Sequence, residues 1–125
     1  NQDDEFEKIN LYFNSLEQRE IIINDLRKIE TNAQITYSMS NNLEINSPSC
    51  TKGNALAHLV EKLGMFSVET MAIGDSDNDI AMLKYVGTSI AMGNAPEYVK
   101  SYANYETDLC ENHGVAKAIY KFCLK

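Results

Sequence analysis

The residues most able to do chemistry in this sequence are three carboxylates crowded into one short loop. An apolar run over residues 71–73 ends in Gly74, then Asp75, Asp77 and Asp79 follow, and an apolar helical pattern begins directly afterwards. Like charges this close raise each other's pKa unless a positive group lies between them. Open α/β sheets bind ligands at this kind of strand-to-helix connection. Because Mg²⁺ is held by one or two carboxylates together with water and substrate phosphate, the pattern predicts a magnesium and phosphate site.

Two simpler structures also explain part of the acidic loop. Asp77 could cap the following helix, and Asp79 in its first turn would favour the positive end of the helix dipole, but Asp75 then stays unexplained. The letters D-S-D-N-D also match the opening of an EF-hand calcium loop. That loop requires glycine at its sixth position and glutamate at its twelfth, where this chain has Ile80 and Val86. The calcium loop is therefore excluded, and helix capping remains the alternative to a metal site.

Lys52 is the second residue of chemical interest, because it falls in the first turn of a predicted helix over residues 52–63. A cation there opposes the helix dipole at a cost of typically ~0.3–1 kcal/mol. A solvated surface lysine would tolerate that cost. Alternatively, an anion at the helix start would be bound by the lysine and the backbone amides together, and Gly53 would let a phosphate approach closely. Taken with the acidic loop, the anion site is the favoured interpretation.

The other polar candidates carry weaker signals. His58 lies within the helix after Lys52 and His113 lies in a predicted loop, and neither has a second histidine or cysteine at ligand spacing. We expect both to be ordinary surface or half-buried residues. Asn94 and residues 111–114 follow predicted strands, so they are positioned to border the same cleft as the acidic loop.

The elements before residue 47 form a pattern of their own. Ser15 and Gln18 have the spacing of a capping box at the start of a helix. Asn41 and Asn42 provide turn chemistry for a hairpin. The predicted elements are a strand over 8–13, a helix over 16–30, and paired strands over 33–39 and 43–45. Residues 1–46 therefore predict a β-α-β-β unit with antiparallel pairing, and a boundary is expected at 47–49.

After that boundary, helices and apolar strands alternate. The predicted elements are helices over 52–63, 80–85, 96–101 and 115–124 and strands over 68–73, 88–92 and 105–107. Alternating α and β elements with apolar strands are typical of a parallel sheet covered on both faces. The fold class is therefore α/β, with its ligand-binding edge at the carboxyl ends of the strands.

Composition limits the classes of partner and of compartment. The chain of 125 residues carries 11 basic against 18 acidic residues, for a net charge of −7, and no basic cluster could neutralise a nucleic-acid backbone. No apolar run approaches the ~20 residues that cross a membrane. Three widely spaced cysteines, expected to be mostly buried, suit reduced thiols, and the N-terminus does not look like a signal peptide. We expect a cytoplasmic protein with neither nucleic-acid nor membrane partners.

Four motifs occur in a specific order: K-G at 52–53, G-D-S-D-N-D at 74–79, A-M-G-N-A at 91–95 and G-V-A at 114–116. Over about residues 43–124 the chain resembles the C-terminal part of Cof-type phosphatases of the haloacid dehalogenase-like superfamily. The β-α-β-β segment is similar to the closing portion of that subfamily's inserted C2-type cap domain. The resemblance implies a cap remnant over 1–46 and the second half of a Rossmann-like core over 47–125.

The resemblance also implies roles for individual residues. Lys52 looks like the catalytic lysine that neutralises the phosphoryl group and the nucleophilic aspartate. Asp75 looks like the magnesium-ligating acid, with Asp79 supporting the same metal site, and Asn78 looks like the side chain that binds the substrate phosphate. The implied activity is Mg²⁺-dependent hydrolysis of small phosphorylated metabolites such as sugar phosphates. A non-catalytic phosphate- or metal-binding module is the alternative, and a phosphomutase or sugar-phosphate phosphatase variant of the same fold is a third possibility.

The sequence departs from the family in one respect that bears directly on activity. The family's nucleophile lies in a D-x-D-G-T motif after a first strand, and no such motif occurs here. Asp3 and Asp4 follow no apolar strand, and Asp25 falls inside a predicted helix. Without an aspartyl nucleophile no phosphoenzyme forms by this route, so we expect the chain alone to be inactive. A truncated sheet would also expose an apolar edge, which favours self-association.

Overall fold

The computed structural model describes residues 8–29 and 33–124. The chain divides into two compact units, Asn1–Cys50 and Thr51–Lys125. The acidic residues Asp3 and Asp4 and the predicted helix end at residue 30 lie outside the described residues. Each unit has its own sheet, one antiparallel and one parallel.

The described residues of the first unit form one helix and a three-stranded antiparallel sheet. Its elements are β1 (Lys8–Tyr12), α1 (Leu16–Lys28), β2 (Gln34–Thr36) and β3 (Asn42–Asn46). The strand order is β1-β3-β2, and Ile45 pairs with both Ile9 and Ile35 across the sheet. The predicted β-α-β-β order and the antiparallel hairpin are confirmed. Strand β2 is shorter than the predicted 33–39, because the side-chain oxygen of Asn42 accepts hydrogen bonds from the backbone N–H groups of Ser38 and Met39.

Local hydrogen bonds account for the start of α1 and for the polar side of β3. The Ser15 hydroxyl accepts from the Gln18 backbone N–H at 3.2 Å, as the predicted helix cap requires. Burial raises the pKa of the Glu44 carboxyl, but hydrogen bonds from Lys8, Ser38 and Asn42 outweigh that effect and leave the pKa below its ordinary value. The buried Glu44 carboxylate of the central strand therefore has the hydrogen-bond partners that a buried charged group requires.

The second unit alternates helices with parallel strands. Its elements are α2 (Lys52–Lys62), β4 (Met71–Gly74), α3 (Ile80–Tyr85), β5 (Thr88–Ala91), α4 (Glu97–Lys100), β6 (Tyr105–Glu106) and α5 (Gly114–Phe122). The sheet order is β4-β5-β6, and both pairings are parallel. The core contains Ala72, Leu83, Ala91 and Val99. The predicted α/β class is confirmed, and the carboxyl ends of β4 and β5 lie side by side because Gly74 pairs with Ala91.

Two further sequence predictions differ from the structure. The predicted strand over 68–73 begins only at Met71, because residues Ser67–Glu69 form a 3-10 turn. The Glu69 carboxylate accepts from the Phe66 backbone N–H at 2.7 Å and closes that turn, and Val68 is 76% exposed rather than buried. The three cysteines, expected to be mostly buried, are all exposed and unpaired. Among the helices formed by the described residues, none combines the length and apolar character needed to cross a bilayer.

Candidate functional site

The start of α2 brings Lys52 to the acidic loop. The Thr51 hydroxyl accepts from the Asn54 backbone N–H at 3.0 Å and fixes the first turn of the helix. From that turn, the Lys52 ammonium group donates to a carboxylate oxygen of Asp79 and to the side-chain oxygen of Asn78, the latter at 3.3 Å. Residues from two separate elements therefore meet at one end of the unit, and the predicted lysine lies at the predicted loop.

Asp79 is the most buried acid of the loop, with 4% of its surface exposed. One carboxylate oxygen receives Lys52. The other accepts from the backbone N–H groups of Asp75 and Ser76 at 3.0 and 3.2 Å and from the Ser76 hydroxyl at 3.1 Å. Burial raises the pKa of Asp79, but the hydrogen bonds from Lys52 and the two backbone N–H groups outweigh it and hold the pKa below its ordinary value. Asp79 is therefore a charged residue that the protein itself satisfies.

Gly74 is required for this arrangement, because the Asp79 side chain folds back over the end of β4. A Cβ at position 74 would lie 2.6 Å from the Cβ of Asp79. Only glycine leaves room for the buried carboxylate at this point. The glycine that ends the apolar run is thus explained by close packing.

Asn78 lies with its side-chain oxygen toward Lys52. That oxygen and the Asp79 carboxylate share the single hydrogen of the Ser76 hydroxyl, at 2.9 and 3.1 Å. Since a carboxamide places its oxygen and its nitrogen on opposite sides, the amide nitrogen of Asn78 is the group that could donate to an anion. Ser76 was not identified from the sequence, although its hydroxyl joins Asn78 to Asp79. A serine beside crowded acids is too common to be a signal by itself.

Asp75 and Asp77 occupy different surroundings from Asp79. Asp75 is exposed, and one of its carboxylate oxygens accepts from the side-chain nitrogen of Asn94 at 3.2 Å. Asn94 follows β5, so the expectation that it borders the acidic loop is confirmed. Asp77 is half-buried, and burial raises the pKa of its carboxyl. It lies within a 3-10 turn, Asp77–Asp79, rather than at the cap of α3, so the capping alternative is wrong for Asp77.

The donor set determines how far a magnesium ion fits this loop. Across residues 8–29 and 33–124, no group of three or more His, Cys, Asp and Glu side chains is arranged to hold a metal. The oxygens of Asp79 are already engaged, whereas Asp75 offers an exposed carboxylate. Mg²⁺ is commonly held by one or two carboxylates and completed by water and substrate phosphate. Asp75 therefore has an exposed carboxylate oxygen of the kind that Mg²⁺ binds, whereas both oxygens of Asp79 are held by Lys52 and the loop backbone.

Comparison with known proteins gives the relatives of this chain. A sequence profile for haloacid dehalogenase-like hydrolases matches residues 1–119. The 5-amino-6-(5-phospho-D-ribitylamino)uracil phosphatase YcsE of Bacillus subtilis is 45% identical over 106 residues, which are 85% of this chain and 42% of that protein. The phosphatase YwpJ of Bacillus subtilis is 44% identical over 82 residues, 66% of this chain and 29% of that protein. The chain thus spans less than half the length of these relatives.

Solved structures give the same result at the level of the fold. A haloacid dehalogenase-like hydrolase from Bacillus subtilis superposes with a TM-score of 0.85 at 35% identity, covering 98% of this chain and 43% of that one. The Streptococcus mutans protein SMU.1108c superposes with a TM-score of 0.86 at 32% identity, covering 96% and 46%. The fold, the matched profile and the identities agree, and the chain belongs to the haloacid dehalogenase-like hydrolases.

Proposed function

We propose that the whole protein hydrolyses phosphoric monoesters of small metabolites with the help of Mg²⁺. The observation that carries the proposal is the contact of Lys52 with Asn78 and the buried Asp79, beside the exposed carboxylate of Asp75. Positive charge and an amide donor are placed together at the end of a parallel sheet. Transfer of a phosphoryl group demands positioning and charge stabilisation of this kind.

Each of the four residues has a role in this proposal. Lys52 is the catalytic cation that offsets the negative charge of the phosphoryl group, and the contact with Asp79 holds its ammonium group in place. Asn78 donates its amide nitrogen to a phosphate oxygen. Asp75 ligates the magnesium ion, and Asp79 supports that site through the backbone N–H groups of the loop. When bound, Mg²⁺ would supply further charge stabilisation at the phosphate.

The proposal extends to domains and substrate. We propose that residues 1–46 are part of a C2-type cap and that 47–125 are the second half of a Rossmann-like core. Because no D-x-D-G-T motif occurs in these 125 residues, the chain alone would lack the nucleophile and remain inactive. The relative YcsE is named for a phosphorylated ribitylamino compound, which favours sugar or sugar-alcohol phosphates as substrates. Free, exposed cysteines suit a reducing compartment such as the cytoplasm.

The absence of the nucleophile motif from these residues is also compatible with a second function. A module that binds phosphate or metal without turnover needs Lys52, Asn78 and Asp75 but no aspartyl nucleophile. Such a module would bind inorganic phosphate and Mg²⁺ while leaving phosphate esters intact. Turnover by the full-length protein separates the two functions directly.

The test uses the full-length protein that contains these residues and a generic aryl phosphate. We expect Mg²⁺-dependent release of phosphate that EDTA abolishes. Lys52→Ala and Asp75→Asn should each lower kcat/KM by about 100-fold or more, the usual effect of removing one charge-stabilising group. Lys62→Ala, at the far end of the same helix, is the matched control and should keep full activity. Unchanged activity in both site variants would refute the proposed site.

A further inference from the structure

Asn94 contacts Asp75 but has no role in the hydrolysis proposed above. It lies in the turn after β5, and its side-chain nitrogen donates to one carboxylate oxygen of Asp75 at 3.2 Å. Its side-chain oxygen accepts from the backbone N–H of Cys110 at 3.2 Å. One carboxamide therefore joins the acidic loop to the turn that follows β6.

The second contact determines which way the Asn94 amide is turned. A backbone N–H can only donate, so the atom that faces Cys110 must be the amide oxygen. The nitrogen then faces Asp75, where it meets a carboxylate that can only accept. Both ends of the side chain are matched in this orientation, and a flipped amide would lose both hydrogen bonds.

The turn that presents the Cys110 N–H is itself held in place. Asp108 accepts from the Leu109 backbone N–H at 2.7 Å and from the Asn112 side chain at 3.1 Å. The backbone oxygen of Asp108 also accepts from the N–H of Gly93, the residue before Asn94, at 3.2 Å. Asn94 is therefore supported through the backbone of the preceding residue and at its side-chain oxygen.

We propose that Asn94 is a positioning residue for Asp75, an inference that rests on the proposed magnesium site. Asn94 holds one carboxylate oxygen of Asp75 and would thereby leave the other available to a cation. An exposed aspartate without that bond would sample several rotamers, and the cation would have to select one of them. Hydrogen-bond partners of metal ligands typically contribute 10–100-fold to metal affinity.

The experiment compares Asn94→Ala with a matched asparagine in the same unit. Asn104 accepts from the Ser89 hydroxyl at 2.8 Å near the opposite end of β5, so Asn104→Ala removes a comparable bridge far from the acidic loop. Binding of Mn²⁺ to the full-length protein is followed by the electron paramagnetic resonance signal of the free ion. We expect about 10-fold weaker Mn²⁺ binding in Asn94→Ala and unchanged affinity in Asn104→Ala.

Turnover supplies a second measurement that a merely structural role would not affect. For Asn94→Ala the Mg²⁺ concentration giving half-maximal rate should rise by a similar factor, and saturating Mg²⁺ should restore kcat. Equal loss of Mn²⁺ affinity in both asparagine variants would overturn the inference, as would wild-type affinity in Asn94→Ala. Wild-type Mn²⁺ affinity in Asp75→Asn would instead refute the proposed metal site itself. That outcome is distinguishable from failure of the Asn94 inference, in which Asp75→Asn binds Mn²⁺ weakly but Asn94→Ala does not.

Discussion

Gly53 offers a sharp test of how α2 is held against α3. It is buried in the first turn of α2, directly after Lys52. A Cβ added at this position would lie 2.6 Å from the carbonyl oxygen of Ala81 and 2.9 Å from the Ala81 Cβ. The sequence suggested that this glycine lets a phosphate approach, and the structure adds a second reason, which is the close contact of two helices. We predict that Gly53→Ala destabilises the second unit.

The magnitude follows from two opposing effects. Alanine favours a helix over glycine by up to about 1 kcal/mol. Against that, carbon atoms normally approach to about 3.5–4.0 Å, so α2 must move away from Ala81 by about 1 Å. Overpacking of this kind costs typically 1–3 kcal/mol, and the upper half applies because a backbone oxygen cannot rotate aside. The expected net loss in the free energy of unfolding is about 1–2 kcal/mol.

Urea unfolding of the chain measures this change. Ala55→Gly is the control, because Ala55 is exposed in the same helix and reports the alanine-to-glycine difference without a clash. The double variant Gly53→Ala/Ala81→Gly should recover only part of the loss, since the carbonyl contact at 2.6 Å remains. A Gly53→Ala variant as stable as the wild type, or more stable, would refute the packing argument.

Two further predictions concern the second unit. Hydrogen bonds from Lys117, Asn112 and the Leu109 N–H lower the pKa of Asp108 from 3.8 to about 2. The stability it contributes is therefore complete above the unfolded pKa and is lost as the pH falls toward 2. The Tm difference between wild type and Asp108→Asn should shrink over that interval, and a constant difference would contradict this assignment. Thr51→Ala should lower the free energy of unfolding by about 1 kcal/mol, because the helix cap is lost. Thr51→Ser keeps a capping hydroxyl and should retain most of that stability in the same urea assay.

Local signals in the sequence were sufficient to predict where a helix begins when one side chain fixes the backbone there. The Ser15 hydroxyl caps α1 as predicted, and α3 spans the predicted 80–85. The prediction for the segment around Val68 was wrong, because a side-chain contact there outweighs the apolar pattern. Its apolar letters indicated a strand, but the Glu69 side chain closes a turn there. The Gly87 backbone also packs so tightly on Val68 that a Cβ would lie 2.5 Å from the Val68 Cα.

The site could be predicted in part for a topological reason. A parallel sheet brings the connections after β4 and β5 to one edge, which is why Asp75 and Asn94 were expected near each other. Lys52 and Asp79 are 27 residues apart, and only motif order linked them. The contacts of the Ser76 hydroxyl could not be predicted, because they depend on where the side chains of Asn78 and Asp79 lie in three dimensions. The orientation of the Asn94 amide depends in the same way on the position of the Cys110 backbone N–H.

The three acids that first suggested a cation have three different surroundings in the structure. Crowded like charges need positive partners, and for Asp79 these are Lys52 and two backbone N–H groups. For Asp77, burial raises the pKa and favours the neutral form. Charge crowding alone therefore no longer requires a divalent ion. The case for Mg²⁺ rests instead on Asp75, whose exposed carboxylate is held on one side by Asn94. Weaker metal binding after loss of that single hydrogen bond would be the strongest support for this metal site.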